Sequence, residues 1–149
     1  MRIMFVCHGN ICRSPMAEFI MKKLVHENHL EDEIFVSSSA VSTEEIGNPV
    51  YPPARRELAR HGISCDGKYA VQLQKSDYDN YDLFLVMDDS NLFHMCRIFP
   101  SDPERKVHKL LEYAGRSDDV ADPWYTGKFD KAYQDILDGC TGLLNKINL

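Results

Sequence analysis

A cysteine and an arginine six positions apart near the N-terminus are the residues best placed to do chemistry. Cys7 ends a short apolar run, and a loop at residues 8–12 separates it from Arg13 and Ser14, where a helical pattern begins. A strand, a loop and a helix N-terminus form an anion site, since loop amides and the positive end of the helix dipole face the ligand. A thiol at the base of such a site ionises to a nucleophilic thiolate. The segment therefore predicts a cysteine aimed at phosphate.

The residues around this cysteine fit the same interpretation. Ser14 and Pro15 are typical of the N-cap and the first position of a helix. Gly9 and Asn10 tolerate the unusual backbone angles that a tight cradle of amides requires. The alternative is a buried structural cysteine beside a capped helix.

A thiolate that attacks a phosphate monoester needs a second group, a general acid that protonates the leaving oxygen. The best candidate is Asp122, which precedes a proline and two aromatic residues, Trp124 and Tyr125, on a late loop. These aromatics are candidates for the walls of a cleft that holds a flat ring. Sequence spacing alone does not choose Asp122 over Asp118 or Asp119.

Strand and helix patterns alternate along the chain. This alternation predicts βαβ units, and hence an α/β fold in which helices cover both faces of a parallel sheet. Ligands bind at the carboxyl ends of the strands in such folds, which is where Cys7 stands. The predicted strands are residues 2–7, 33–39, 83–87 and 106–111, the predicted helices are 15–29, 54–62, 90–98 and 129–147, and residues 115–127 are predicted as loop.

Composition sets limits on the class of protein. The 149 residues are 44% hydrophobic and 27% charged, which is ordinary for one globular domain spanning residues 1–149. The net charge of −6 argues against a nucleic-acid binder, and no apolar run reaches membrane length. The five cysteines are odd in number and lack Cys-x2-Cys spacing, which disfavours a disulfide framework and a structural zinc site. We expect a cytoplasmic monomer without metal, cofactor or membrane insertion.

Residues 6–18, Val-Cys-His-Gly-Asn-Ile-Cys-Arg-Ser-Pro-Met-Ala-Glu, resemble the signature of the low-molecular-weight protein tyrosine phosphatases. Segments similar to later landmarks of that family follow in the family's order, at residues 38–40, 46–49, 61–63, 87–91 and 122–125. The resemblance covers nearly the whole chain. It implies a flavodoxin-like three-layer fold with a four-stranded parallel sheet, and hydrolysis of phosphotyrosine in proteins, and of small aryl phosphates, to release inorganic phosphate.

The resemblance also implies a role for each matching residue. Cys7 would form a phosphocysteine, Arg13 would bind two phosphate oxygens, and Asp122 would protonate the leaving oxygen and then deprotonate water. Ser14 would donate a hydrogen bond to the Cys7 sulfur. The phosphate-binding and loop-supporting set would comprise His8, Gly9, Asn10, Ile11, Cys12, Ser14 and Ser39.

Two members of that set have more specific implied roles. Asn10 would hold the loop in its strained shape through side-chain hydrogen bonds, with Ser39 as its partner. Cys12 would trap oxidised Cys7 as a disulfide and so prevent irreversible oxidation. From the residues alone, a disulfide between Cys7 and Cys12 requires that the loop bring their Cβ atoms close.

The cleft shows the first departure from the family pattern. Trp124 and Tyr125 match the family's aromatic wall. On the opposite side, where the family often has an aromatic residue, this chain has Glu44 and Glu45. An acidic wall is expected to repel acidic phosphopeptides.

Two further departures concern the loop. His8 occupies a rim position that varies in the family, and its protonation would alter phosphate affinity near neutral pH. The family's loop-supporting histidine is missing from this chain, and Lys68 stands in that region as a partial substitute.

Three other functions compete with this interpretation. Arsenate reductases share the Cys-x5-Arg loop but need two further cysteines near one another, whereas those here are widely separated. Phosphoarginine phosphatases resemble the chain but have threonine where Ile11 stands. A silent phosphate-binding module would not need Cys7, Arg13 and Asp122 together. The cysteines outside the loop are Cys65, Cys96 and Cys140.

Overall fold

The first strand, β1 (Arg2–Cys7), is buried on both faces, as its unbroken apolar sequence predicts. Successive side chains of a strand point to opposite faces of the sheet. Ile3 and Phe5 accordingly pack into one core, together with Cys7, whereas Met4 and Val6 pack into a second core. The strand therefore ends with the Cys7 side chain on the face of the larger core.

The computed structural model, which describes residues 1–148, places β1 inside a four-stranded parallel sheet. The other strands are β2 (Phe35–Ala40), β3 (Leu83–Val86) and β4 (Val107–Lys109), and the strand order is β2-β1-β3-β4. This is the flavodoxin-like order, whose ligand crevice lies between the first and third strands. The predicted α/β three-layer fold is thus confirmed.

Helices cover both faces of the sheet. α1 and α6 pack together on the face of the larger core with α2, and α4 packs against β3. No helix within the described residues is both long and apolar enough to cross a membrane. The helices are α1 (Arg13–Glu27), α2 (Pro52–Arg60), α3 (Asp77–Asn80), α4 (Asp89–Met95), α5 (Pro123–Thr126) and α6 (Phe129–Ile147), with a 3₁₀ helix at Leu110–Ala114.

The start of α1 differs from the sequence prediction. The helix begins at Arg13, so Ser14 and Pro15 are its second and third residues rather than its N-cap and first residue. Proline is tolerated there because the first amides of a helix have no intrahelical partner. The Ser14 hydroxyl contacts the sulfur of Cys7 instead of capping the helix.

Two late segments complete the edge of the sheet that carries Cys7. Asp88 follows β3 and caps α4, where its Oδ1 accepts a hydrogen bond from the Asn91 backbone N at 2.7 Å. The loop before α5 is fixed to the same edge, because the Val120 backbone N donates to the Met87 carbonyl at 2.9 Å. Residues 115–127, predicted as loop throughout, include the short helix α5.

Candidate active site

A cavity of about 130 Å³ opens at this edge of the sheet. Three segments that are distant in sequence form it: the loop after β1, the segment after β2 and the start of α5. Within the described chain, no three His, Cys, Asp or Glu side chains cluster so as to hold a metal ion. The residues that line the cavity are Cys7, His8, Gly9, Ile11, Cys12, Arg13, Glu44, Glu45, Asp122, Trp124 and Tyr125.

Cys7 lies at the base of the cavity with 3% of its surface exposed. Its Sγ is 2.9 Å from the Ser14 Oγ and accepts a hydrogen bond from the Asn10 backbone N at 3.3 Å. The Ser14 Oγ accepts a hydrogen bond from the Asn10 Nδ2 at 2.7 Å, and its own hydrogen has two acceptors, the nearby sulfur and the more distant Ser39 carbonyl at 3.5 Å. Two donors therefore face the Cys7 sulfur, an arrangement that stabilises a thiolate.

Asn10 holds the loop in a left-handed backbone conformation, with φ of 59°. Such a backbone is strained for most residues and persists only where its surroundings fix it. The buried side chain makes three hydrogen bonds: Nδ2 donates to the Ser14 and Ser38 hydroxyls, and Oδ1 accepts from the Val71 backbone N at 3.1 Å. The loop is thereby tied to α1, to β2 and to the segment at Val71.

The serine that supports Asn10 is Ser38, at 3.0 Å, and not Ser39 as predicted. The reason is the alternation of strand side chains. In the parallel register Ser38 pairs with Phe5, which packs into the core on the α1 side, whereas Ser39 pairs with Val6, which packs into the opposite core. The buried Ser39 hydroxyl has no hydrogen-bond partner among residues 1–148.

Two residues behind the loop complete this network. The Ser38 hydroxyl donates to the Glu18 carboxylate at 2.6 Å, a contact that the sequence did not indicate. Lys68, predicted as a partial substitute for a loop-supporting histidine, donates from Nζ to the Ser38 carbonyl at 2.9 Å and lies 3.5 Å from the Glu18 carboxylate. Burial lowers the pKa of Lys68, against the opposing effect of Glu18.

Arg13 is 2% exposed and is fixed along one edge of its guanidinium. Nη1 donates to the Asp88 Oδ2 at 2.6 Å and to the Val120 carbonyl at 2.7 Å, and Nη2 lies 3.4 Å from the Asp122 Oδ2. Burial would lower the pKa of Arg13, but the negative charges of Cys7, Asp88 and Asp122 outweigh it and raise the pKa. Arg13 is therefore a permanent cation beside the thiol.

Asp88 was not predicted as part of the site. The one sequence signal for it is its position two residues after β3, at the carboxyl edge of the sheet where ligands bind in folds of this type. Its carboxylate orients Arg13 from below the cavity and does not line the cavity itself.

Of the three candidate aspartates, Asp122 is the one that lines the cavity. It is the N-cap of α5, where its Oδ1 accepts a hydrogen bond from the Trp124 backbone N at 3.1 Å. Its Oδ2 faces Arg13, and the residue lines the cavity. Asp118 and Asp119 pair with other cations outside the cavity.

The two rims of the cavity have opposite character. Trp124 and Tyr125 form an aromatic rim and are 51% and 84% exposed. Tyr51, which sequence reasoning missed, supports this rim, with its ring centroid 4.7 Å from that of Trp124. Glu44 and Glu45 lie on the other rim, as predicted. A flat ring therefore has an aromatic surface on one side and carboxylates on the other.

His8 forms a hydrogen bond with one of the two carboxylates of the acidic rim. Its Nε2 lies 3.0 Å from the Glu44 Oε2, and since a carboxylate only accepts, this nitrogen carries a hydrogen. Glu45 accepts from the Asn48 side-chain amide at 2.6 Å. Each carboxylate of the rim thus accepts a hydrogen bond from a neighbouring side chain. The sequence did not predict either of these pairings.

Cys12 and Ile11 lie side by side in the loop. Both are buried and pack with Ala70 in a small apolar cluster. Burial raises the pKa of the Cys12 thiol, and the charges of Cys7 and Asp122 raise it further, so Cys12 is protonated at neutral pH. A protonated Cys12 thiol is a weak nucleophile.

Comparison with known proteins gives consistent results. The sequence profile of a family described as low molecular weight phosphotyrosine protein phosphatase matches residues 2–149. The low molecular weight protein-tyrosine-phosphatase YfkJ of Bacillus subtilis is 40% identical over 147 residues, which cover 97% of this chain and 94% of that protein. PtpA of Staphylococcus aureus, of the same description, is 34% identical over 146 residues, covering 97% and 92% of the two chains.

Solved structures show the same similarity in three dimensions. The crystal structure of YfkJ superposes with a TM-score of 0.95 at 39% identity, covering 99% of this chain and 94% of that one. An arginine phosphatase of Drosophila superposes with a TM-score of 0.90 at 30% identity, covering 100% and 99% of the two chains.

Proposed function

The chain belongs to the low molecular weight phosphotyrosine protein phosphatase family, and we propose that it hydrolyses phosphotyrosine in proteins through a phosphocysteine at Cys7. Members of the family are hydrolases of phosphate monoesters. One observation carries the proposal: Cys7, Arg13 and Asp122 line the same cavity, with the Arg13 Nη2 3.4 Å from the Asp122 Oδ2. Nucleophile, cation and acid are thereby within reach of one phosphate group.

In the first step, the Cys7 thiolate attacks phosphorus and the phosphorus–oxygen bond to the tyrosine breaks. The electron pair goes to the leaving oxygen, which takes a proton from Asp122. Arg13 binds phosphate oxygens through the edge that Asp88 leaves free, and it stabilises their charge in the transition state. The incoming phosphate displaces Asp122 from the Arg13 Nη2, and the Asp122 carboxyl, which binds a proton once it has left the guanidinium, turns Oδ2 toward the leaving oxygen.

In the second step, water attacks the phosphocysteine and gives a proton to the Asp122 carboxylate. The phosphorus–sulfur bond breaks, and the electron pair returns to Cys7 as a thiolate. The Ser14 hydroxyl, 2.9 Å from that sulfur, stabilises the departing charge. Inorganic phosphate leaves, and Asp122 is again protonated for the next cycle.

A substrate panel tests the reaction class. Matched peptides that carry phosphotyrosine, phosphoarginine or phosphoserine, together with arsenate, are compared by their kcat/KM values. We expect phosphotyrosine to be preferred over phosphoarginine by at least about tenfold, since the apolar Ile11 side chain lines the cavity and leaves a guanidinium without a polar partner. Ile11→Thr should lower the ratio of the kcat/KM for phosphotyrosine to that for phosphoarginine. If the phosphotyrosine peptide is hydrolysed no faster than without enzyme, the proposal is contradicted.

Phosphoarginine hydrolysis is the second candidate function, favoured by the similarity to the Drosophila arginine phosphatase. Arsenate reduction is a weaker one, because a disulfide relay needs accessible thiols near the loop. Cys65 and Cys140 are buried, and Cys96 is exposed on the C-terminal end of α4. We therefore expect no turnover of arsenate in the panel.

Oxidation by peroxide tests the proposed role of Cys12. Peroxide converts the Cys7 thiolate to a sulfenic acid, and the Cys12 thiol condenses with it to form a disulfide and water. Loss of the negative charge at Cys7 also removes one of the effects that raise the Cys12 pKa. We expect peroxide-treated enzyme to regain activity with dithiothreitol, whereas Cys12→Ser stays inactive. Mass spectrometry that finds only sulfonic acid at Cys7 in the unsubstituted enzyme would refute this role.

A further inference from the structure

A second cavity, of about 420 Å³, lies next to the catalytic one and shares His8 and Glu44 with it. We call it the side cavity. It lies between the segment that follows β2 and the C-terminal end of α4, and the His8–Glu44 pair forms the wall between the two cavities. The residues that line it are His8, Val41, Ser42, Thr43, Glu44, Gln72, His94, Arg97 and Ile98.

One arginine and two histidines are among the residues that line the side cavity. Arg97 is exposed, and its guanidinium makes no hydrogen bond or ion pair within residues 1–148. The His94 Nδ1 lies 2.8 Å from the Ser90 carbonyl, which only accepts, so this nitrogen carries a hydrogen. The His94 and His8 rings are 6.4 Å apart.

Only one carboxylate faces these groups among the described lining residues. It belongs to Glu44, and its Oε2 is hydrogen-bonded to the His8 Nε2 at 3.0 Å. The hydrogen bond occupies one oxygen of the Glu44 carboxylate. Arg97 is therefore the one permanent charge in the cavity without a partner in the described part of the chain.

We propose that the side cavity binds an acidic side chain that flanks the phosphorylated residue of the substrate, with Arg97 as the residue that determines this specificity. The inference rests on the proposed function. A guanidinium binds a carboxylate through two parallel N–H···O contacts, and Val41 and Ile98 offer apolar surface to the methylene groups. An extended chain advances ~3.3–3.6 Å per residue, so the neighbours one or two positions from the phosphorylated residue lie within ~7 Å of it along the chain, and the two cavities share a wall.

This inference differs from the expectation that Glu44 and Glu45 repel acidic phosphopeptides. That expectation rested on the two acidic residues alone, whereas in the structure each is hydrogen-bonded to a donor. It also took no account of Arg97, which is on α4's C-terminal side, more than 50 positions from the acidic rim in sequence. The side cavity thus provides a cationic position beyond the acidic rim.

A charge-reversal experiment tests the proposal. Phosphotyrosine peptides of one length carry Asp, Ala or Lys at a single position, one or two residues before or after the phosphotyrosine. We expect the wild type to have a higher kcat/KM for the Asp peptide than for the Lys peptide at one of these positions, by about three- to fivefold, the effect of an exposed ion pair. Arg97→Glu should invert this order.

Arg56→Glu is the matched control, since Arg56 is an exposed arginine on α2 outside both cavities and the net charge changes equally. This control variant should have the same ratio of kcat/KM for the Asp peptide to kcat/KM for the Lys peptide as the wild type. The proposal is overturned if Arg97→Glu leaves the ratio at its wild-type value, or if Arg56→Glu shifts it as much. Free phosphotyrosine does not reach the side cavity, so the wild type, Arg97→Glu and Arg56→Glu should hydrolyse it equally fast. If the wild type does not hydrolyse free phosphotyrosine, that result counts against the proposed function and not against the role of Arg97.

Discussion

Replacing Cys7 with serine should lower kcat for aryl phosphates by about 10⁴-fold or more while the enzyme still binds phosphate. A serine hydroxyl is not ionised at neutral pH, and within residues 1–148 the one side chain hydrogen-bonded to the sulfur is that of Ser14, a hydroxyl and not a base. Arg13 and the Asn10 amide remain in place, because the substitution conserves the shape of the side chain. Phosphate affinity should stay equal or rise, since a negative charge at the base of the cavity is lost.

Steady-state kinetics and calorimetric titration with phosphate measure the two halves of this prediction separately. Cys65→Ser is the matched control, because Cys65 is also buried but lies outside the cavity. It should keep its kcat within a few-fold of the wild-type value. Turnover by Cys7→Ser within tenfold of the wild type would exclude the phosphocysteine, and simultaneous loss of turnover and binding would indicate that Cys7 only supports the loop.

The part of the site whose local structure follows from residue types alone is formed by neighbouring residues. The apolar run of β1, the loop and the start of α1 are continuous in the chain, so residue types alone indicate a strand, a cradle and a helix. The role of Asp88 depends instead on a contact across 75 positions, and that of Val120 on one across 107. Nothing in the type of either residue points to Arg13.

A one-residue error in the loop network shows a second limit. Ser38 and Ser39 are chemically identical, and only the pairing of β2 with β1 decides which one faces Asn10. A shift of one residue moves a side chain to the other face of a sheet. The predicted boundary of β2 was correct to within two residues at its start, yet the face of each serine required the register.

Replacing Asp122 with alanine should lower kcat for phosphotyrosine by about 10²–10⁴-fold, the usual contribution of general acid catalysis. Tyrosine, with a pKa near 10, is a poor leaving group that needs a proton as the bond breaks. The phenolate of a more acidic phenol leaves without that help, so the kcat for its phosphate ester should fall much less. In a series of aryl phosphates, the variant should therefore depend more steeply on the pKa of the leaving phenol than the wild type does.

The Asp122→Asn variant separates proton transfer from positioning. The Asp122 Oδ1 caps α5 by accepting from the Trp124 backbone N, and an asparagine oxygen keeps that hydrogen bond while it has no proton to give. If Asp122 is the acid, the asparagine and alanine variants should show the same steep dependence on the leaving group. Asp118→Ala, which removes an aspartate outside the cavity, should match the wild type. An equal loss for every leaving group would mean that Asp122 acts by holding Arg13 or the aromatic rim. If activity recovers in Asp122→Asn but not in Asp122→Ala, the role of Asp122 would be to cap α5.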